Sequence, residues 1–343
     1  MIQEFIQRVN ELYEPGYFAG VVQCALKEEG AAFYLTLGDK GIVPAPGRFD
    51  GDALARVTMP QQVLAEMMTK PETFDFRNSL FKKDIDVEGD VEVLFYLGEL
   101  CRRPPAAAVE RFRKAEETCR RAPVHEILTL FRPDEATLLD MIERCQPVVV
   151  RGMLDDWKPM STPEALVKAF GDLPLKHDAK GQLLTVAAFV DGMRSAKEGE
   201  RFHSGGIVLP EDARRHYTMP YFGNERFNQP QLWMGSATGK LACTQLHRDT
   251  HHGFLGHLYG RKLFKVFSPD QAPYLYPKSA YNSHQNSWLA IDRPDLGRFP
   301  EFAKAKAIEF VLEPGDLLVM PAGWFHSVFA LDPVMSVSRF LND

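Results

Sequence analysis

The sequence predicts a chain of two domains, an α+β domain followed by an all-β domain that folds as an antiparallel barrel with flanking helices. Three observations lead to this prediction. Helical and strand-like apolar patterns alternate through the N-terminal part of the chain. The pair Pro104 and Pro105 then interrupts the pattern, as expected at a domain boundary. Farther along, His247 and Asp249 lie on one predicted strand, and an apolar strand near the C-terminus leads to His326.

Length and composition limit both structure and function. A chain of 343 residues with 45% hydrophobic residues is long enough for two ordinary cores. The formal net charge of -6 argues against a large nucleic-acid interface, so we expect no nucleic-acid partner. The five cysteines are odd in number and never in C-x-x-C spacing, which indicates neither a disulfide framework nor a zinc cluster.

The pattern at the N-terminus favours a cytoplasmic protein. The first residues are amphipathic and do not read as a signal peptide. No apolar run approaches the roughly 20 residues that span a bilayer, so we expect no membrane span.

The first domain is predicted at residues 1–105. It opens with an amphipathic helix that ends before Pro15 and Gly16. Three strands, a proline-containing loop at 44–47 and two later helices follow. The strands are predicted at 19–26, 31–37 and 55–59, and the later helices at 61–68 and 91–101.

Residues 106–124 are predicted as a helical linker, and the second domain is placed at residues 125–343. This domain is expected to begin with a helical segment at 137–142 and a strand at 148–150. The stretch 195–202 is polar and rich in Lys, Glu and Gly. It is interpreted either as a substrate-binding loop or as a solvated surface loop.

His247 and Asp249 form the first part of a candidate metal site. Residues two apart on a strand point to the same side, so this imidazole and this carboxylate face one point in space. His326 is the best candidate for a third ligand, because it follows an apolar strand that a barrel could fold back beside the first pair. Two histidines and one carboxylate suit the non-haem Fe(II) enzymes that activate oxygen. The competing interpretation is a chance H-x-D pair with packed or solvated histidines.

Two lysines on the next predicted strand are candidates to bind a carboxylate near the metal. Lys262 and Lys265 lie in a β-rich segment, where a buried ammonium group is costly without a partner. Alternation places them on opposite faces and leaves open which one points inward. Thr244 offers a hydroxyl that could bond the same carboxylate.

Three further histidines, His251, His252 and His257, lie close in sequence to the candidate ligands. We interpret them as bystanders, because three facial ligands already complete the protein's share of such a site. The alternative is that one of them contacts substrate.

The residues of the second domain resemble those of the cupin-like JmjC oxygenases, a family that includes the asparaginyl hydroxylase of hypoxia signalling. The resembling segments are 146–152, 157, 233–235, 244–262, 268–269, 275–277 and 313–326. The resemblance implies a double-stranded β-helix, also called a cupin or jelly-roll fold.

The same resemblance implies an Fe(II)- and 2-oxoglutarate-dependent dioxygenase. Fe(II) would be held by His247, Asp249 and His326. 2-Oxoglutarate would be held by Thr244 and Lys262, and O2 is the other cosubstrate. The implied reaction is hydroxylation of an unactivated C–H bond on a peptidyl or amino-acyl side chain.

The sequence departs from the asparaginyl hydroxylase at positions that contact 2-oxoglutarate in that relative. One asparagine corresponds here to Gly253, and another falls at Ser338 or Arg339, depending on a one-residue gap. His203 corresponds loosely to a tyrosine. The roles of these residues are left open.

Residues 1–105 resemble the sterol carrier protein 2 fold in the order of their helices and strands. A lipid or small molecule delivered by this SCP2-like domain is therefore the alternative substrate. The other interpretation is that the domain only packs against the oxygenase or makes it a homodimer, since a fold does not imply a function.

Two alternatives to the oxygenase remain. One is a non-catalytic, metal-binding cupin scaffold, which would have no use for a carboxylate clamp such as Thr244 and Lys262. The other is a metal cupin enzyme that does not use 2-oxoglutarate. Because every residue that the mechanism needs lies from Thr244 onward, a chain beginning near Ala122 is expected, if it folds, to keep uncoupled 2-oxoglutarate turnover.

Overall fold

The computed structural model describes residues 1–27, 31–71, 74, 84–177, 183–209, 211–237, 239 and 241–342. Contacts between residues divide the chain into two units. The first unit comprises Met1–Pro105, His177–Leu183 and Ser279–Asn282, and the second comprises Ala106–Lys176, Leu184–Lys278 and Ser283–Asp343. The N-terminal part is a mixed α/β region, and the C-terminal part is β-rich with several antiparallel pairings, as the sequence predicts.

One five-stranded sheet organises the first unit. Its described helices are α1 (Ile2–Glu11), α2 (Gln61–Thr69) and α3 (Val91–Glu99). Its strands are β1 (Gly20–Leu26), β2 (Ala32–Gly38), β3 (Gly41–Pro46), β4 (Ala55–Met59) and β5 (Asp86–Gly89). They lie in the order β3-β2-β1-β4-β5, with β1 and β4 parallel and the other neighbours antiparallel.

The predicted loop at 44–47 is wrong for residues 44–46, which belong to β3. Prolines are depleted in strands because they cannot donate to the ladder, and Pro44 and Pro46 therefore read as a loop. The structure tolerates them because β3 is the edge strand of the sheet, where one side of the backbone needs no partner.

The second unit begins with a long helix and is otherwise dominated by strands. Its described helices are α4 (Ala106–Arg121), α5 (Glu135–Glu143), α6 (Pro163–Phe170), α7 (Val186–Ser195), α8 (Glu211–Arg214) and α9 (Ala272–Leu275). Short 3-10 helices lie at Asp155–Met160, Asn224–Arg226, Pro269–Gln271 and Pro300–Lys304.

The strands that follow α4 form two large sheets and one small one. They are β6 (Leu128–Phe131), β7 (Val148–Arg151), β8 (Pro174–His177), β9 (Leu183–Thr185), β10 (Phe202–Val208), β11 (Gln231–Ser236), β12 (Ala242–Asp249), β13 (His252–Tyr259), β14 (Lys262–Phe267), β15 (His284–Asn286), β16 (Ile308–Leu312), β17 (Leu317–Met320), β18 (Phe325–Ala330) and β19 (Val334–Leu341). One large sheet has the order β10-β11-β19-β13-β17-β7-β6, the other has the order β15-β12-β18-β14-β16, and β8 pairs with β9.

Trp157 packs in the hydrophobic core that covers the seven-stranded sheet. Trp157 is buried and its indole N–H donates to the carbonyl of Thr218 at 2.7 Å. The indole ring lies directly over β13, where a Cβ at Gly256 would come within 2.3 Å of a Trp157 ring carbon. Gly256 is therefore required by close packing, and a larger residue there would displace the ring.

Helix α4, which covers most of the predicted linker, belongs to the second unit. Ala108, Phe112, Ala115 and Cys119 are buried, and their helical spacing forms one apolar stripe. The opposite face is charged, and Arg113 bonds both Glu110 and Glu117 there. The helix thus has the pattern of one that packs against a core.

Within the described part of the chain, no helix is both long enough and apolar enough to cross a bilayer.

Candidate metal centre

Strands β12 and β18 bring together the three predicted ligands. The two strands are antiparallel, and His247 lies directly opposite His326. Asp249 follows on the same face of β12, so its carboxylate lies beside both rings. The Nε2 of His247 is 3.8 Å from Asp249 Oδ1, and the Nε2 of His326 is 3.6 Å from Asp249 Oδ2. These distances are too long for hydrogen bonds and leave room for an ion between the three groups.

Backbone carbonyls orient both imidazoles. The Nδ1 of His247 lies 2.9 Å from the carbonyl oxygen of Gln245, and the Nδ1 of His326 lies 3.1 Å from that of Trp324. Because a carbonyl oxygen can only accept, each Nδ1 carries the proton and donates it. Each Nε2 is then left with its lone pair directed toward Asp249, which is how metal-binding histidines are commonly held.

Burial shifts the pKa values of two of the candidate ligands, His326 and Asp249. It lowers the pKa of His326 to about 3, with a further contribution from His247, so this imidazole is neutral near pH 7. Burial also raises the pKa of the Asp249 carboxyl, an effect that the neighbouring His247 partly opposes. A divalent cation would supply the positive charge that a buried carboxylate needs.

The donor set fits such a cation. Candidate ligand atoms of His247, Asp249 and His326 all lie within 4.8 Å of one another, and they form the one metal-competent cluster found among the described residues. Two imidazole nitrogens and one carboxylate oxygen suit non-haem Fe(II), with positions left open for other ligands. The triad is therefore consistent with Fe(II) binding.

The triad lies in a pocket between the two large sheets. The pocket encloses about 580 Å³ of empty volume, part of it open to solvent. Most of its lining is apolar, including Phe264, Leu318, Met320 and Phe340. The polar groups that enter it are the triad, Thr244, Lys262 and Ser338.

Lys262 is the lysine that points inward. Its side chain lines the pocket and the residue is only 3% exposed, whereas Lys265 points away and pairs with Glu309 at 2.9 Å. Burial lowers the pKa of Lys262 to about 8, and Cys243 opposes this slightly. No carboxylate within the described ranges forms an ion pair with Lys262, so the pocket presents an uncompensated cation.

The three neighbouring histidines have other partners. The Nδ1 of His252 accepts from the backbone N–H of Ala322, and the Nδ1 of His251 contacts the Thr250 hydroxyl. His257 is fully buried, contacting Ser336 Oγ through Nδ1 and the Gly260 carbonyl through Nε2. None of the three belongs to the group of candidate ligand atoms formed by His247, Asp249 and His326 among the described residues.

His284 is a neighbour of the triad that sequence reasoning missed. It lies on the short strand β15 directly opposite Asp249, and its ring centroid is 5.8 Å from that of His247. No local pattern in the sequence marks this histidine, because only the pairing of β15 with β12 brings it to the site.

The structure separates the two candidate positions at the end of the last strand. Ser338 lines the pocket, and its hydroxyl accepts a 2.7 Å hydrogen bond from the indole N–H of Trp233. Arg339 faces the other way and donates to backbone carbonyls, including that of Asn228 at 2.9 Å. Gly253 also lines the pocket, whereas His203 lies on β10 outside its lining.

The part of the chain that carries this site is similar to a known protein family. Residues 209–342 match the cupin-like domain family. Residues 209–342 thus form a cupin-like domain, in agreement with the sequence resemblance.

Several curated relatives match part of the chain. Lysine-specific demethylase 8 of Danio rerio is 26% identical over 253 residues, covering 66% of this chain and 62% of the relative. The tRNA wybutosine-synthesizing protein 5 of Danio rerio is 36% identical over 132 residues, covering 38% of each chain. HSPB1-associated protein 1 of Bos taurus is 34% identical over 125 residues, covering 35% of this chain and 25% of the relative. In each case the match spans less than two thirds of the relative's length.

Among solved structures, the UbiJ-SCP2 ubiquinone synthesis protein matches 28% of this chain and 76% of its own, with 17% identity and a TM-score of 0.22.

Proposed function

We propose that the protein is an Fe(II)- and 2-oxoglutarate-dependent dioxygenase that hydroxylates an unactivated C–H bond. The observation that carries this proposal is the convergence of His247, Asp249 and His326 in one pocket with a buried lysine. Bound Fe(II) would supply the oxygen-activating chemistry. The side chains of the pocket would bind the metal, orient 2-oxoglutarate and keep water out of the site.

Each polar group has a role in this proposal. The two imidazoles and the carboxylate hold the metal, and the carbonyls of Gln245 and Trp324 accept hydrogen bonds from the Nδ1 atoms and orient both Nε2 atoms toward the metal. Lys262 binds the far carboxylate of 2-oxoglutarate, because a buried ammonium without an anionic partner is costly. Thr244 lines the same pocket and offers a hydroxyl to that carboxylate.

The apolar lining has a role as well. Phe264, Leu318 and Met320 exclude water from the space between the sheets, which strengthens the attraction between Lys262 and a bound carboxylate. A metal-binding scaffold would gain nothing from this costly arrangement, and the buried lysine therefore favours the oxygenase over the scaffold.

For the substrate we propose a peptidyl or amino-acyl side chain. The names of two relatives refer to lysine and to tRNA wybutosine synthesis, which associates such domains with amino-acid and nucleic-acid groups. The formal net charge of -6 makes a nucleic-acid footprint unfavourable, which leaves the amino-acyl group as the better choice. A lipid is less favoured, because the described cavity of the first unit is lined largely by polar and charged groups, including Arg48, Asp50, Arg56 and Glu88.

The test is the substitution Asp249→Ala. We expect loss of tight metal binding and of succinate formation from 2-oxoglutarate, because the carboxylate is the one anionic ligand. The matched control is Asp332→Ala, a surface carboxylate that pairs with Arg261 outside the pocket. Turnover of 2-oxoglutarate by Asp249→Ala at a rate near that of the wild type would refute the metal triad.

A further inference from the structure

Arg248 lies between two proposed metal ligands and points away from them. On strand β12 the side chains of His247 and Asp249 enter the pocket, so Arg248 projects from the opposite face. The residue is only 6% exposed. A charged side chain is thus buried directly behind the metal centre, where the proposed chemistry does not use it.

Side chains of two polar and two aromatic residues contact the guanidinium group within the described part of the chain. Its Nε donates to Gln285 Oε1 at 2.6 Å, and one terminal nitrogen donates to Glu116 Oε1 at 2.9 Å. The guanidinium carbon lies 3.9 Å from the ring centroid of Phe112 and 4.7 Å from that of Phe325. Such a combination of hydrogen bonds and ring stacking requires the planar fork of an arginine.

These contacts join three adjacent strands. In the order β15-β12-β18, Gln285 of β15 and Phe325 of β18 both lie opposite Arg248 in register. Phe325 immediately precedes the third proposed ligand, His326. The amide of Gln285 is itself fixed by donating to the carbonyl of Lys278 at 2.7 Å. One side chain therefore links the strands that carry all three proposed ligands.

Helix α4 completes the arrangement from behind. It supplies Phe112 and Glu116 to the guanidinium group. It also supplies Arg111, whose Nε donates to the backbone carbonyl of Thr250 at 2.7 Å. The helix thus holds the chain on both sides of Asp249.

Stability alone does not account for such an arrangement. Replacing a buried ion pair by apolar residues is often neutral or stabilising, so a buried Arg–Glu pair is weak support for a role in stability. Its distinctive property is a fixed orientation, and here that orientation is imposed on the strands that carry the metal ligands.

We infer that Arg248, held by Glu116 and Phe112 of α4, is a positioning residue that sets the spacing of the metal ligands. It contacts neither metal nor substrate and acts through the backbones of β12 and β18. The inference rests on the proposed metal triad and adds a determinant of its geometry.

The test uses Co(II) as a probe for the metal site. Arg248→Lys keeps the positive charge but loses the planar fork. We expect it to bind Co(II) roughly 10 to 100-fold more weakly than the wild type, the usual cost of losing a residue that orients ligands. We also expect an altered Co(II) absorption spectrum, because the visible bands report the ligand geometry, while the far-ultraviolet circular dichroism stays unchanged.

Two further variants separate positioning from general stability. Leu138→Ala leaves a cavity in a different part of the second unit and should lower the melting temperature without changing the Co(II) affinity or spectrum. Glu116→Gln keeps a hydrogen-bond acceptor but removes the charge, at a side chain that is 28% exposed and tolerant of change. It should weaken Co(II) binding by a smaller factor, and it decides the question if Arg248→Lys does not fold.

The outcomes are distinguishable. Wild-type affinity and spectrum in folded Arg248→Lys, or in Glu116→Gln where the lysine variant does not fold, would overturn the inference and leave the metal triad intact. A wild-type protein that binds no Co(II) would overturn the triad, and the positioning role with it.

Discussion

Lys262 combines burial, a lowered pKa and a place beside the proposed metal ligands. We predict that Lys262→Ala strongly raises the KM for 2-oxoglutarate, because loss of one partner of a buried charge pair costs about 3 to 5 kcal/mol. The measurement is succinate formation as a function of 2-oxoglutarate concentration.

Lys265→Ala is the matched control on the same strand. Its side chain is paired with Glu309 on the outer face, and its removal should leave the KM unchanged. Equal effects of the two substitutions would contradict the role of Lys262.

Burial of His257 makes the free energy of unfolding depend on pH. Burial lowers its pKa to about 3, and the nearby Lys262 contributes, whereas an unfolded chain takes up this proton near pH 6.5. Between these two values the unfolded state binds more protons, so the free energy of unfolding falls as the pH drops below about 6.5. The contribution is about 1.4 kcal/mol per pH unit over that range.

We therefore predict that the free energy of unfolding of His257→Asn falls less steeply with decreasing pH than that of the wild type. Its stability at neutral pH will also fall, because the contacts with Ser336 and Gly260 are altered. Denaturant unfolding between pH 4 and pH 7 measures the slope for each protein. If the free energy of unfolding depends on pH equally in both proteins, a group other than His257 causes the loss of stability in acid.

Helix α4 matters at the scale of secondary structure elements, because it is part of the second unit. The sequence-based expectation that a chain beginning near Ala122 keeps turnover if it folds stays a prediction, and the packing of α4 bears on whether such a chain folds. Such a chain lacks Phe112 and Glu116, so the Arg248 guanidinium loses its ion pair with Glu116 and its contact with the Phe112 ring, while its hydrogen bond to Gln285 remains.

We predict that a chain beginning at Ala106 binds Co(II), whereas a chain beginning at Ala122 aggregates or binds it poorly. Both chains lack residues 1–105 and they differ only by α4, so each controls for the other. Size-exclusion chromatography followed by Co(II) titration of the monodisperse fractions measures the difference. Equal binding by both chains would show that α4 is dispensable.

At the scale of the whole molecule, all three proposed ligands lie in the second unit. Co(II) at about a hundred times its dissociation constant stabilises the unit that binds it by about 2.7 kcal/mol. We predict that amide hydrogen exchange in β12 and β18 slows by up to about a hundredfold, while exchange in β1, β2 and β4 is unchanged. Mass spectrometry of peptic fragments measures both regions, and equal protection of the two regions would contradict this prediction.

Most of the residues that meet at the candidate metal centre could be predicted from the sequence. The H-x-D pair on a strand identified His247 and Asp249, because the two-residue period of a strand is a local property. The third ligand, His326, followed from the apolar strand before it and from the resemblance to JmjC proteins. The order of helices and strands in the first domain was also readable, except for β3, whose prolines concealed an edge strand.

Only the tertiary structure decided the questions that depend on strand pairing. Alternation shows that Lys262 and Lys265 face opposite ways, but the pairing of β14 with β16 and β18 determines which one enters the pocket. Similarly, the register of β19 places Ser338 in the pocket and directs Arg339 away from it. His284 reaches the site only through β15.

The same holds for the role of α4. Its apolar stripe marks it in the sequence as an amphipathic helix, but the strand that it packs against is distant in the chain. Local periodicity depends on the geometry of a single element, so the sequence determined the elements and the types of ligand. Register and packing depend on contacts between distant segments, so only the folded chain determined which side chains meet behind and within the metal centre.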